Sequence, residues 1–171
     1  MRLLKFFIKN ACCLLIATGI LCFLSCSTED NKPVKTPIEI YECFSPVLTP
    51  MVDSSIIALP HGVVAEQAIV NSREELYNKI PKQIINENPE YKKIDFENLS
   101  LIVFKLRMVF KPQKIEYIIY KEDSYTYEVI QRLYQEEVLR KDGLFVMSCV
   151  VTEKIATDSK LNVLQSASSP E

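Results

Sequence analysis

The sequence predicts an α+β domain: an antiparallel meander of strands whose apolar face is covered by one helix on its N-terminal side. Three observations predict it. From Leu101 onward apolar residues recur at every second position, the period of a strand with one buried face. Ahead of these strands, Ser72-Arg73-Glu74-Glu75 has the spacing of a capping box, and Leu76 and Ile80 follow one turn apart as a buried helical stripe. The links between the later strands are short, which favours antiparallel neighbours and an α+β order.

The first element is not part of that domain. Residues 1–25 read as a lipoprotein signal peptide, with Arg2, Lys5 and Lys9 ahead of an apolar run of about 14 residues. A transmembrane helix needs roughly 20 residues, and extending the run back to Phe6 would place Lys9 and Asn10 inside it. Phe23-Leu24-Ser25-Cys26 resembles a lipobox, with small Ser25 at the cut. Cys12 and Cys13 come too early for a full apolar run, and Leu21 ahead of Cys22 is not small. The resemblance implies that Cys26 is diacylated on its thiol and acylated on the amino group freed by cleavage. A buried methylene contributes about 0.8 kcal/mol and one chain anchors only marginally, so two or three chains hold the protein at the membrane. Ser27-Thr28-Glu29-Asp30 resembles the acidic export signals of Bacteroidetes-type lipoproteins. That implies the outer membrane and the cell surface; a periplasm-facing lipoprotein is the alternative if the acidic run merely begins a solvated linker.

Removing Arg2, Lys5 and Lys9 from the 20 basic residues leaves 17 against 22 acidic ones, a formal charge near −5. Nucleic-acid binders carry a basic surface, so this balance excludes that class of partner. The mature length of about 146 residues suits one domain. Besides Cys26 the mature chain keeps Cys43 and Cys149. An oxidising compartment permits a disulfide between them, and buried free thiols are the competing reading.

The elements follow in order. Cys26 begins a flexible tether over 26–37, rich in polar residues and proline. Residues 38–44 alternate weakly as a first strand of a domain that runs over 38–157. Residues 45–60 carry three prolines and a Met51-Val52-Asp53 turn, an irregular connection ending in the turn Pro60-His61-Gly62. Residues 63–70 are a short apolar strand. The capped helix comes next and is stopped by Pro81, which lacks an amide and clashes with the preceding turn. A second turn is expected over 82–86, and the polar stretch 88–98 is pinned by Ile94 and Phe96. In residues 101–110 one face is Ile102, Phe104, Leu106, Met108 and Phe110, while the other carries Lys105 and Arg107. Residues 111–114 read as a hairpin link to strand 115–120, and 121–124 as a link to strand 125–134. Residues 135–143 read as a charged loop hinged at Gly143. The last strand, 144–152, places Cys149 on the face of Phe145, Met147 and Val151. The tail, 158–171, reads as frayed and flexible.

Little of this carries chemistry. His61 is the only histidine and sits in a Pro-Gly turn, so a hydrolase would have to assemble an acid and a nucleophile around it. A zinc site needs several His or Cys ligands, and the mature chain lacks them. The mature chain has only Gly62 and Gly143, so no nucleotide-binding glycine motif exists. Glu74-Glu75, Glu122-Asp123 and Glu136-Glu137 are sequence neighbours that point apart, as on solvated faces. No catalytic residue, metal or cofactor is expected. The tyrosines stand out: Tyr125 and Tyr127 share strand parity and form a candidate platform for a glycan or a partner protein. Ordinary cross-strand pairing is the plainer account.

Two stretches carry a family likeness. Ile69-Val70-Asn71-Ser72-Arg73-Glu74-Glu75-Leu76 is a strand entering a capped helix, and Ile94-Asp95-Phe96-Glu97-Asn98-Leu99-Ser100-Leu101-Ile102-Val103-Phe104 is a turn entering a strand. Together they resemble small Bacteroidetes lipoproteins of unknown function and, more distantly, the C-terminal domain of the protease-complex subunit PrcB. The resemblance implies a non-catalytic accessory role, binding or stabilising another envelope protein. A glycan-binding accessory lipoprotein is the alternative.

Overall fold

The computed structural model describes residues 34–50 and 63–168. Cys26, the signal segment, most of the tether, the Met51-Val52-Asp53 turn and His61 lie outside the described residues. Among the described residues no helix is long and apolar enough to cross a membrane.

The domain is mostly β, with few helices, in two sheets that do not close into a barrel. Its strands are β1 (Thr36–Pro37), β2 (Ile40–Cys43), β3 (Val47–Pro50), β4 (Val63–Val70), β5 (Leu99–Lys121), β6 (Thr126–Glu153) and β7 (Lys160–Ser168). Two short helices, α1 (Arg73–Lys79) and α2 (Lys82–Glu87), and a 3-10 turn (Pro89–Lys93) separate β4 from β5.

Two long strands make both sheets. β5 and β6 pair antiparallel along almost their whole length, with register shifts clustered between Met108 and Lys114. Extra residues in one strand of a pair bend it and raise its twist, so the β5–β6 ribbon folds over on itself. Residues 111–114, expected to be a hairpin link, therefore do not reverse the chain: Pro112 lies opposite Gln135. A bulge tolerates a proline that a flat central strand would not. Residues 135–143, expected to be a loop, are the matching bend of β6, with Leu139 opposite Phe110. The true reversal is at 121–126, where the Glu122 amide donates to the Thr126 carbonyl at 2.9 Å and the Tyr125 amide to Asp123 Oδ1 at 2.8 Å.

The upper sheet contains β4, the first half of β5, the second half of β6, and β2 and β3 end to end along the far edge. The lower sheet contains β1, the second half of β5, the first half of β6, and β7. The chain steps between the sheets at Ile38 and Glu39, where the Ile38 amide donates to the Ile119 carbonyl at 2.9 Å and the Glu39 carbonyl accepts from the Glu153 amide at 3.4 Å. This is not a simple meander, because the early strands flank the ribbon made by the later ones. The tether thus ends in the fold, with β1 paired to β5.

The expected flexible tail is a second departure. Residues 160–168 form β7, which pairs parallel with β6 from Thr126 to Tyr134. Parallel neighbours ordinarily need a crossover of a dozen or more residues. Here the bend carries the end of β6 back over its own beginning, so the few residues after Glu153 suffice. Leu161 is buried in the core between the sheets, which holds the segment down.

That core is built from the inward faces of both halves of the ribbon. Phe104, Leu106 and Phe110 meet Ile119, Val129 and Leu133 in it. A second buried cluster lies on the other face of the upper sheet. Leu76, Ile80, Ile85 and Tyr91 from the helical segment pack there with Leu101, Val103, Cys149 and Val151. The helix expected to stop at Pro81 and the turn expected over 82–86 are α1 and α2, and a 3-10 turn follows within the stretch expected to be merely polar. Ile80, the residue before Pro81, is extended at φ −115°, ψ 128°, the conformation that a following proline favours.

The start of α1 obeys the capping-box logic with one change. The Ser72 hydroxyl accepts from the Glu75 amide at 3.1 Å. The Glu75 carboxylate reaches back to the Asn71 amide at 2.6 Å, one residue earlier than the N-cap amide that the motif predicts. The Asn71 side chain in turn donates to the Ile155 carbonyl at 2.8 Å, and the Ser100 hydroxyl accepts from the Ile155 amide at 2.9 Å. The polar residues of the two family-like stretches thus cap, bridge and pin backbone.

Candidate functional site

The helical segment packs over only part of the upper sheet. Register shows where it stops. Val70, Leu101 and Val151 form one rung across β4, β5 and β6, and Ala68, Val103 and Cys149 the next. Leu101, Val103, Cys149 and Val151 are buried against the helices. The third rung is Glu66, Lys105, Met147 and Val47, and the fourth ends in Arg107, Phe145 and Thr49. Here α1 has ended at Pro81, and an open groove of about 470 Å³ remains.

Its floor is apolar, with Val47, Phe145 and Met147 from β3 and β6; Ile80, Pro81 and Ile84 form the helical wall. Tyr77 stands at the rim with 43 % of its surface exposed. The guanidinium of Arg107 lies 5.5 Å from the centre of the Phe145 ring, within cation–π range. Glu66 bridges two lysines: Oε1 is 3.3 Å from Lys79 Nζ and Oε2 is 2.7 Å from Lys105 Nζ. Its carboxyl is held below the ordinary range, first by the Lys105 hydrogen bond and then by that of Lys79. All three side chains are substantially exposed, so each pair stabilises the fold by no more than about 1 kcal/mol. Lys79 and Lys105 share this one carboxylate and Arg107 lies over Phe145, so among the described residues cations outnumber carboxylates here, on a chain whose formal charge is −2.

Two other openings are wider but more polar. One, of about 520 Å³, lies between the edges of β4 and β7, where the Gln67 side chain donates to the Leu161 carbonyl at 2.9 Å. The other, of about 590 Å³, lies beside the start of α1 and includes the structural residues Asn71, Ser72 and Asp95. Side-chain and backbone partners already engage the polar groups at both, so neither matches the apolar floor and surplus charge of the groove.

The residues singled out from the sequence fall elsewhere. Tyr125 and Tyr127 do not form a platform. Tyr125 precedes β6 in the hairpin turn and is 59 % exposed, whereas Tyr127 is 4 % exposed in the core between the sheets. Equal parity puts two residues on one face only inside a strand, and Tyr125 lies outside it.

Cys43 and Cys149 are both free thiols, the first exposed and the second buried. Their strands are neighbours, but Cys43 lies opposite Val150, not Cys149. Val150 faces the core between the sheets and Cys149 faces the helices. Adjacent strand positions point to opposite faces, so the expected disulfide does not form. Burial pushes the Cys149 thiol up to about 12, with Tyr91 as its hydrogen-bonding neighbour. That keeps it protonated and inert. Burial also raises Cys43, with Glu42 adding to the shift.

Three of the carboxylates considered for acid–base chemistry have structural partners. Glu75 caps α1, Glu122 lies 2.9 Å from Lys35 Nζ, and Asp123 holds the hairpin turn. Among the described residues no group of three or more His, Cys, Asp or Glu is placed to hold a metal.

Sequence reasoning missed the groove. The signal for it lies in one face of β5, which reads Leu101, Val103, Lys105, Arg107. The first pair is apolar and the second basic, so the face changes character halfway along the strand. No protein-family model, curated protein or solved structure matches the chain.

Proposed function

We propose that this chain is a lipid-anchored envelope protein that binds another envelope protein through the open half of its upper sheet and carries out no catalysis. The anchor rests on Cys26 within Phe23-Leu24-Ser25-Cys26, and outward display at the outer membrane on the acidic residues that follow. The resemblance to small Bacteroidetes-type lipoproteins and to the PrcB C-terminal domain supports an accessory role. The helical segment serves in this reading as the cover of one sheet face, complete over two rungs and reaching only part of the next two.

The observation that carries the binding role is the groove. An apolar floor of half-buried Val47 and Phe145, with Met147 buried beneath, lies next to an exposed tyrosine and two cationic side chains of β5. Interfaces are enriched in aromatic, Met and Arg side chains. Buried aromatic and Arg anchors supply most of their energy. A photoreactive amino acid replacing Tyr77 tests the reading on intact cells. It should yield a reproducible covalent adduct with one envelope protein, and the same group at exposed Tyr125 should not. Equal adducts from both positions, or none from Tyr77, would refute the binding surface. The anchor has its own test in palmitate labelling, which Cys26→Ala should abolish.

A further inference from the structure

We infer, resting on the reading of the groove as a partner-binding surface, that its occupant is an extended acidic segment of another protein laid alongside β3. Three observations point to this chemistry. First, among the described residues β3 is paired on one side only, with β6. A strand edge of this kind supplies backbone donors and acceptors to an added strand, the basis of β-augmentation. Second, Val47 on β3 and Phe145 and Met147 on β6 line the floor beside that edge. An added extended chain turns alternate side chains toward such a floor and the others to water. Third, the Arg107 guanidinium lies over Phe145 on β6, the strand next to β3, and Lys105 stands on β5 beside it; among the described residues these cations complement carboxylates on the incoming segment.

The openness of the groove also separates a peptide from an acyl chain. A fatty acid carries a carboxylate and an apolar tail, but a tail lying in an open trough keeps one side in water. An extended peptide exposes its own polar face there, so nothing apolar is left wet.

The test uses the full chain in detergent micelles and a short, end-capped synthetic peptide alternating leucine with glutamate. A second peptide carries lysine in place of glutamate, and sodium laurate is the third probe. The account predicts that the glutamate peptide binds about tenfold more tightly than the lysine peptide and weakens as salt rises. The paired substitution Lys105→Glu and Arg107→Glu should reverse the preference, a gain that only a folded chain can show. Equal binding of both peptides, binding of neither, or preference for laurate would overturn the proposal. So would binding that emerges only after residues 51–62 are replaced by a glycine–serine linker, since the chain's own connection would then be the occupant. The two readings fail separately. A Tyr77 adduct whose captured segment is not acidic removes this inference and leaves partner binding standing; no Tyr77 adduct removes both.

Discussion

The two halves of one sheet face are built from the same strands and differ in cover and charge. On the first two rungs, Leu101, Val103, Cys149 and Val151 are buried beneath α1, α2 and the 3-10 turn. On the next two the cover thins: Met147 is still buried with the helical residues, whereas Lys105, Arg107 and Thr49 are left partly or fully exposed and Phe145 half-buried. Burial of the first half stabilises the fold, at about 25 cal/mol per Å² of apolar surface removed from water. The second half contributes little to stability, because its charged groups stay hydrated and its apolar floor stays partly wet. Such a surface is free to be shaped by binding. The boundary falls at the end of α1, where Lys79 reaches Glu66 of the third rung and Pro81 stops the helix.

The largest predicted contrast is in stability. Leu101→Ala removes a fully buried side chain from the covered half and should cost about 2–5 kcal/mol in a urea titration. Lys105→Gln in the open half should cost less than about 1 kcal/mol, since it breaks only an exposed ion pair. Comparable losses from the two variants would erase the distinction. A smaller effect tests how the cover is fastened. Ser72→Ala removes the cap of α1 and should lower stability by about 1 kcal/mol, and Ser72→Asp, which caps as well, should restore it.

Thiol labelling sharpens the same contrast without changing the fold. A maleimide should modify Cys43 in the native chain, with a rate that rises with pH as the thiolate forms and that lags a free thiol because burial raises the Cys43 pKa. Cys149, beneath the helices, should react only after denaturation. Native labelling at Cys149 would mean that the cover opens readily.

The smallest predicted effect is on acid stability. Asp95 accepts from the Asn98 side chain at 2.8 Å and from the Glu97 amide at 3.1 Å, and these contacts hold its carboxyl below the ordinary range. A carboxyl depressed in the folded chain contributes stability that is complete above its unfolded pKa and fades as pH falls through its folded one. Asp95→Asn should therefore lower stability slightly at neutral pH and leave it nearly unchanged at acid pH, which flattens the acid limb of the stability–pH curve. An unchanged acid limb would assign the loss to other carboxylates.

Local signals in the sequence predicted local structure well. The capping box at Ser72, the stop at Pro81, the period-two run from Leu101 and the turn at 121–124 each depend on a few adjacent residues. The bend of the β5–β6 ribbon was not legible at that scale. Lys111-Pro112-Gln113-Lys114 and the charged run 135–143 look like loops, and only their pairing across the ribbon shows that they are two sides of one bend. The tail was misread for a related reason, since β7 gains its partner only once β6 folds over. For the groove, the change from Leu101 and Val103 to Lys105 and Arg107 was visible, but its meaning depends on where the helices end over β5. The platform of Tyr125 and Tyr127 failed because strand parity was extended one residue beyond the strand.

The most direct measurement is the yield of photo-crosslink from position 77 on intact cells in chains carrying Leu101→Ala or Arg107→Glu, normalised to folded protein at the surface. The account predicts that Leu101→Ala leaves the normalised yield unchanged, and that Arg107→Glu lowers it severalfold while the urea midpoint stays at the parent value. A yield that falls with stability in both variants, or that Arg107→Glu leaves intact, would contradict the division between a half that folds and a half that binds.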